Sequence, residues 1–290
     1  MEGTLSMSLQ TLFSALLGVV QGLSEFLPIS SSGHLMVAEL LFAQIGYQAD
    51  PEKTLPLMVM LHMGTLVAVA AVFWRDWVDM LRHPVKNKTL LYLFIASLPA
   101  LFAKLLLGDI VDAFFKGWFL GICFLITAVF LVLVEALGSR GKHARGQEHV
   151  SARHAVVMGF FQALALPPGI SRSGSTLLGG IASGLTRQAA AKFSFMMSAP
   201  AILGSFLSEG MDALDAGGLG SLFTGDILVG VLLSAISGFL AIRYMLQLIE
   251  SISFYKFAGY VAAVGIIVIV MQLTGFAGFP PIALPARAVW

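Results

Sequence analysis

GVVQGLSEFLPISSSGHL, residues Gly18 to Leu35, is the stretch on which the fold turns. An apolar run of helical length meets Pro28, and Ser30, Ser31, Ser32, Gly33 and His34 follow at once. A second stretch, GFFQALALPPGISRSGST, Gly159 to Thr176, aligns with it without a gap 141 positions downstream. Gly18/Gly159, Gln21/Gln162, Leu23/Leu164, Ile29/Ile170, Ser30/Ser171, Ser32/Ser173 and Gly33/Gly174 are identical pairs. Glu25 and His34 occur only in the first copy, and Arg172 only in the second. The chain therefore reads as a duplication within one membrane domain, residues 1–290. Its halves, about 1–140 and 141–290, have divided the polar chemistry between them. Function is expected where the halves meet.

Composition sets the surroundings of this pair. Of the 290 residues, 58% are hydrophobic and 11% charged, and the mean hydropathy is +0.89. Soluble domains carry about 25% charged residues, so an integral membrane protein is expected. A net charge of +1 invites no nucleic-acid partner. The single cysteine, Cys123, lies in an apolar run and cannot form an internal disulfide; burial as a small apolar side chain suits it. MEGTLSMSLQ, at the start, has no basic segment and no small-residue cleavage site, so a cleaved signal peptide is not expected.

A spanning helix needs about 20 apolar residues. Six runs come close enough: Leu57–Trp74, Leu90–Leu107, Trp118–Leu137, Ala189–Leu207, Ile227–Leu248 and Phe257–Phe276. The two repeated stretches behave differently. Leu9–Leu27 is stopped by Pro28 and the serine run, and only Leu35–Phe42 follows; the second copy pairs Ala155–Leu166 with Leu177–Leu185. Proline lacks an amide hydrogen and restricts the residue before it. Two short helices around a polar loop describe a re-entrant hairpin. The expected fold is all-α: six transmembrane helices plus two re-entrant helix hairpins, arranged as an inverted repeat because each half contributes three spans.

Charge counting orients this arrangement. One set of loops carries Arg75, Arg82, Lys86, Lys88, Arg140, Lys142, Arg145, Arg153, Arg243 and Lys256. The other holds Lys53, Lys116 and Arg287, with acids such as Asp109, Asp112, Glu209, Asp212 and Asp215. Ten cations against three place the first set in the cytoplasm. Both termini then lie outside, the hairpins enter from opposite sides, and their polar loops meet near the midplane, as in inverted-repeat transporters.

Polar groups at membrane depth are costly unless paired or wet, so this cluster is the candidate site. Arg172 offers a planar fork of donors that matches phosphate. Ser171, Ser173 and Thr176, with backbone amides after the break, complete a cradle for an oxyanion. Gln21 and Glu25 are four apart and share a helix face, while Ser31 and His34 are expected in one loop after the break. A carboxylate, an imidazole and a hydroxyl are the parts of an activated nucleophile. Glu25 beside a phosphate equally suits a divalent cation such as magnesium or calcium, and the residues alone leave both roles open.

The remaining polar residues invite plainer readings. His62, within LMVMLHMG, reads as a packed, hydrogen-bonded histidine. Lys104 and Glu135 stand near span ends, where snorkelling suffices. His83, His143, His149 and His154 fall among basic loop residues and are expected at solvent or headgroups, and no histidine pair has zinc spacing.

QGLSEFLPISSSGH resembles the first signature of the bacterial undecaprenyl-diphosphate phosphatases, a glutamate or glutamine, three residues, then glutamate. PGISRSGST resembles their second, PGxSRSxxT. Length, hydropathy and motif spacing agree over nearly the whole chain. The resemblance implies hydrolysis of undecaprenyl diphosphate to the monophosphate, which recycles the lipid carrier for peptidoglycan synthesis and confers bacitracin resistance. It also implies a place in the bacterial inner membrane, and it carries the site onto Glu25, Ser31, His34, Arg172, Ser173 and Thr176. Ser30, Ser32 and Ser171 are expected to help hold substrate. Where many members have a first glutamate this chain has Gln21, which leaves one carboxylate there rather than two. A homodimer is compatible with the sequence. The competing class is a polyprenyl-phosphate transporter or flippase, and a membrane scaffold comes third.

Overall fold

The computed structural model describes residues 2–46, 51–138, 146–217 and 223–282; the side chains of residues 2–8, 51–56 and 208–217 are not described. Arg140, Lys142, His143, Arg145 and Arg287, and the side chains of Lys53, Glu209, Asp212 and Asp215, therefore lie outside it. The described residues form eleven α-helices and no strand. In order they are α1 (Glu2–Phe26), α2 (Ser31–Ala43), α3 (Pro51–Val72), α4 (Trp74–Arg82), α5 (Thr89–Phe114), α6 (Leu120–Gly138), α7 (Ala152–Leu164), α8 (Arg172–Ser183), α9 (Arg187–Gly217), α10 (Gly225–Leu248) and α11 (Phe254–Thr274).

The six apolar runs fall on α3, α5, α6, α9, α10 and α11. Among the described residues, five segments are long and apolar enough to cross a membrane: Thr89–Phe114, Leu120–Gly138, Arg187–Leu207, Gly225–Leu248 and Phe254–Thr274. A sixth is reached by joining Leu57–Val72 to Trp74–Arg82, which meet at a 73° bend. The expected run to Trp74 thus stops at Val72, and α4 turns aside. Arg75, Asp76, Asp79 and Arg82 follow within nine residues and cannot continue through hydrocarbon unpaired. Asp76 accepts from Lys192 Nζ at 2.5 Å. Asp79, beyond the span, accepts from Asn87 at 2.7 Å and His83 at 3.1 Å, and these bonds hold its carboxyl below its ordinary value. In α5 the helical dihedrals lapse at Leu107 (φ −124°, ψ 21°), where the apolar run ends.

Small residues let the helix backbones approach closely, as is common for helices packed in lipid. Helix α1 lies against α10, where a Cβ on Gly18 would sit 2.3 Å from the Gly230 carbonyl oxygen. Its repeat partner Gly159, on α7, faces α5, with the Ala96 carbonyl oxygen 2.6 Å from such a Cβ. The other principal pairings are α6 with α11, α3 with α10, α7 with α8, α3 with α9, and α8 with α6 and α9. Phe26, Phe124, Met158, Ile181 and Phe254 are fully buried in the core among these helices.

Two polar residues differ from the sequence expectation. Glu135 does not snorkel: it takes Arg187 at 2.9 Å on one oxygen and the Phe254 amide, at the start of α11, at 2.7 Å on the other. A carboxylate shielded from water needs both partners. His154 is buried rather than at the surface, and with Ser151 it forms a capping box on α7. Lys104 pairs with Asp112 at an exposed edge, and His83 and His149 are exposed as expected.

Candidate active site

The site begins with two helix starts built alike. Ser30 caps α2, its side chain accepting from the Gly33 amide at 3.4 Å, and Ser171 caps α8, accepting from the Gly174 amide at 3.1 Å. Capping by serine starts each helix at once. Ser31, Ser32 and His34, and Arg172, Ser173 and Thr176, therefore occupy first helical turns rather than the expected loops. The first amides of a helix have no partner within it, and its N-terminus carries positive partial charge. Two such termini at one site suit a phosphate.

The breaks touch each other. Ser173 Oγ donates to the Leu27 carbonyl at 3.2 Å. A Cβ on Gly33 would lie 3.0 Å from Gly169 Cα and 2.6 Å from the Phe124 ring. Gly169 itself has φ +94° and is crowded by Cys123 and Leu120, so glycine is required there. Thr127 on α6 ties the second break down: its hydroxyl donates to the Gly169 carbonyl at 2.8 Å and accepts from the Ser171 amide at 2.9 Å.

At the centre stands Glu25, 7% exposed. Its Oε1 accepts from Arg172 Nη2 at 2.9 Å. Its Oε2 accepts from Ser31 Oγ at 2.6 Å and from Gln21 Nε2 at 3.1 Å. Arg172 also donates through Nη1 to the Ser194 carbonyl at 3.1 Å. Thr176 does not face the guanidinium's outer side: its hydroxyl bonds the Arg172 carbonyl at 2.8 Å and Ser194 Oγ at 2.6 Å. Ser171 and Ser173 share a hydroxyl contact of 3.3 Å. Ser32 is half-buried on the first turn of α2.

His34 is drawn away from this centre. Its Nδ1 meets the Ser30 carbonyl at 2.8 Å and its Nε2 meets the Tyr260 hydroxyl at 2.9 Å. Ser30 presents that carbonyl from a left-handed backbone, φ 75° and ψ 99°; such a conformation costs a non-glycine residue about 1–3 kcal/mol and clusters at functional sites. His62 is half-buried with Nδ1 on the Met58 carbonyl at 2.8 Å, as a packed histidine should be. Tyr260, Ser194 and Thr127 were not legible as site residues. Each is a hydroxyl set among apolar residues of a long helix, with no local pattern to mark it.

A resident metal ion does not fit these residues. Glu25 is the one carboxylate of the cluster, both its oxygens are engaged, and a guanidinium already sits on one of them. Gln21 Oε1 is buried without a hydrogen-bond partner and adds one neutral oxygen. Magnesium and calcium take six or more oxygens. Among the described residues no three His, Cys, Asp or Glu side chains are grouped to hold a metal.

An all-α membrane protein with two capped helix starts converging on a Glu–Arg–Ser cluster is the class that fold and site define. The family model described as bacitracin resistance protein BacA matches residues 14–267, and the chain belongs to that family. An undecaprenyl-diphosphatase of Halothermothrix orenii is 36% identical over 260 residues, covering 88% of this chain and 95% of that one. An undecaprenyl-diphosphatase of Methanosphaera stadtmanae is 36% identical over 293 residues, covering 91% and 99%. Undecaprenyl-diphosphatase 4 of Bacillus thuringiensis (strain Al Hakam) is 37% identical over 261 residues, covering 89% and 96%.

Proposed function

We propose that this protein hydrolyses undecaprenyl diphosphate to undecaprenyl phosphate and inorganic phosphate, so returning the lipid carrier to cell-wall synthesis. Membership of the family and its diphosphatase relatives support the activity. The observation that carries the chemistry is the chain Arg172–Glu25–Ser31, with contacts of 2.9 and 2.6 Å. Transport of an anion has no use for a hydroxyl bonded to a buried carboxylate.

Ser31 is the nucleophile in this reading. Glu25 Oε2 takes its proton as Oγ attacks the terminal phosphorus, the bridging P–O bond breaks, and the lipid monophosphate leaves with the electron pair. The departing monophosphate carries that proton off from Glu25; water then attacks the phosphoserine while Glu25 takes its proton, and the Oγ–P bond breaks as Ser31 Oγ recovers that proton. A guanidinium has five N–H donors and Arg172 commits two within the protein, so the rest grip the phosphate. Little covalent chemistry is asked beyond positioning and charge neutralisation. The hydrogen bonds favour Glu25 over His34 as the base, and His34, one turn along α2 from Ser31, stands on the leaving-group side. Any divalent cation the reaction uses, magnesium or calcium, would come bound to the diphosphate and take no charged ligand from the protein, since both Glu25 oxygens are engaged.

We read the α1–α2 and α7–α8 pairs as re-entrant hairpins in an inverted repeat. The reciprocal packing supports this: the first half's α1 lies on the second half's α10, and the second half's α7 on the first half's α5. The deciding measurement for the function is phosphate release from polyprenyl diphosphate by the purified protein in detergent. Release is expected without any membrane gradient; binding of the lipid without release would leave the transporter reading in its place.

A further inference from the structure

Helix α11 has one polar side chain between Phe257 and Met271, Tyr260. It is 47% exposed, yet its hydroxyl turns inward to His34 Nε2 at 2.9 Å. The two rings also stack, with centroids 5.7 Å apart and planes 13° from parallel. The imidazole also meets Phe124 edge to face, with centroids 5.2 Å apart and planes at 85°, and Phe124 is fully buried. The Ser30 carbonyl can only accept, so Nδ1 of His34 carries the proton. In the neutral ring Nε2 is then an acceptor, and the Tyr260 hydroxyl is its donor. Four contacts from two helices and one break thus fix the plane, rotation and tautomer of a single histidine.

The order of exposure along the site is equally telling. Glu25 is buried, Ser31 and His34 are half-buried, and Tyr260 opens to the outside. A lipid diphosphate has one phosphate that departs and one that keeps the prenyl chain, and the chain must leave toward lipid. With the terminal phosphate between Arg172 and Ser31, the lipid-bearing phosphate falls on the His34–Tyr260 side.

We propose that Tyr260 is a positioning residue for the reaction: it holds His34 against the phosphate that stays on the lipid. This rests on the diphosphatase reading above. Charge grows on the bridging oxygen as its bond to the terminal phosphorus breaks; with the diphosphate bound, a proton taken up from solvent at Nε2 makes His34 an imidazolium that stabilises this charge, and the Tyr260 hydroxyl turns from donor to acceptor to keep the ring in place. Tyr260 acts through His34, so its loss falls on turnover more than on substrate affinity.

Tyr260→Phe keeps the ring stacking and removes only the hydroxyl. With the full-length protein in detergent and polyprenyl diphosphate as substrate, the expected result is a fall in kcat of about tenfold, the worth of one hydrogen bond to a group that bears charge, with KM changed less than twofold. Nitrogen NMR of histidine-labelled protein, assigned with His34→Gln, should show Nδ1 protonated and Nε2 bare, and Tyr260→Phe should move the Nε2 resonance alone. An unchanged kcat overturns the proposal. A rise in KM at constant kcat, or a fall in kcat with the Nε2 resonance unmoved, overturns it too. If the wild-type protein shows the nitrogen signature but releases no phosphate, the diphosphatase reading fails, and the catalytic role of the pair fails with it.

Discussion

Glu25 is held by three donors from three places: Gln21 on its own helix, Ser31 across the first break and Arg172 across the second. The two halves of the duplication contribute opposite charges to one contact, and neither half could do so alone. Arg172→Lys keeps the charge and loses the fork. Turnover should fall by at least ~10²-fold, on the order of 2.7 kcal/mol of transition-state stabilisation, as measured by steady-state phosphate release; near-normal turnover would make the arginine a purely structural partner of Glu25. Ser31→Ala should abolish single-turnover phosphate release while lipid binding persists. Ser30→Ala should retain chemistry and mainly loosen the start of α2, since its side-chain bond is a long 3.4 Å cap. Substantial release from Ser31→Ala that vanishes on adding a chelator would give the attack to a metal-bound water.

Among elements, the two broken helix pairs matter most, and their contact is a matter of ångströms. Gly33 and Gly169 touch because neither carries a side chain, with Phe124 packed beneath. A methyl on Gly33 would meet that buried ring at 2.6 Å, and overpacking of this kind costs about 1–3 kcal/mol. Gly33→Ala should therefore lower the unfolding temperature in detergent and reduce activity by parting the breaks. Gly259→Ala, on the open side of α11 where an added Cβ meets nothing within 4 Å, should change neither. Equal behaviour of the two variants would mean that the breaks do not need their close approach.

At the scale of the molecule, the duplication explains why the packing pairs exchange between halves. Gly18 and Gly159 are the same residue in the two copies, and each presses on a helix from the opposite half. An inverted repeat places Asp109 and Asp112 outside the cytoplasm and the Arg75–Lys88 segment within it. Single cysteines at Asp109 and at Lys86, introduced after Cys123→Ala, should react with a membrane-impermeant thiol reagent from opposite sides of sealed vesicles. Labelling of both from one side would sink the inverted arrangement while leaving the chemistry of the site intact.

The membrane class, the spans and the polar cluster were legible in the chain because each is a local or compositional property. Hydropathy needs only a window of residues, and the repeat needs only an alignment of Gly18–Leu35 with Gly159–Thr176. That Ser31, His34 and Arg172 begin helices was within reach too, given Ser30 and Ser171 as caps, yet serine runs read equally well as loops. Partner choice was decided by the tertiary structure alone. Glu25 lies six residues from Ser31 and nine from His34, and nothing in that spacing says which one it holds. The answer depends on where α11 brings Tyr260, 226 residues beyond His34. Glu135 and His154 make the same point: the sequence suggests a snorkelling group at a span end and a loop residue at solvent or headgroups, and both are enclosed by residues from elsewhere in the fold or by a cap. A hydrogen bond is directional and short, so it is settled by the meeting of elements distant in sequence, which no local pattern records.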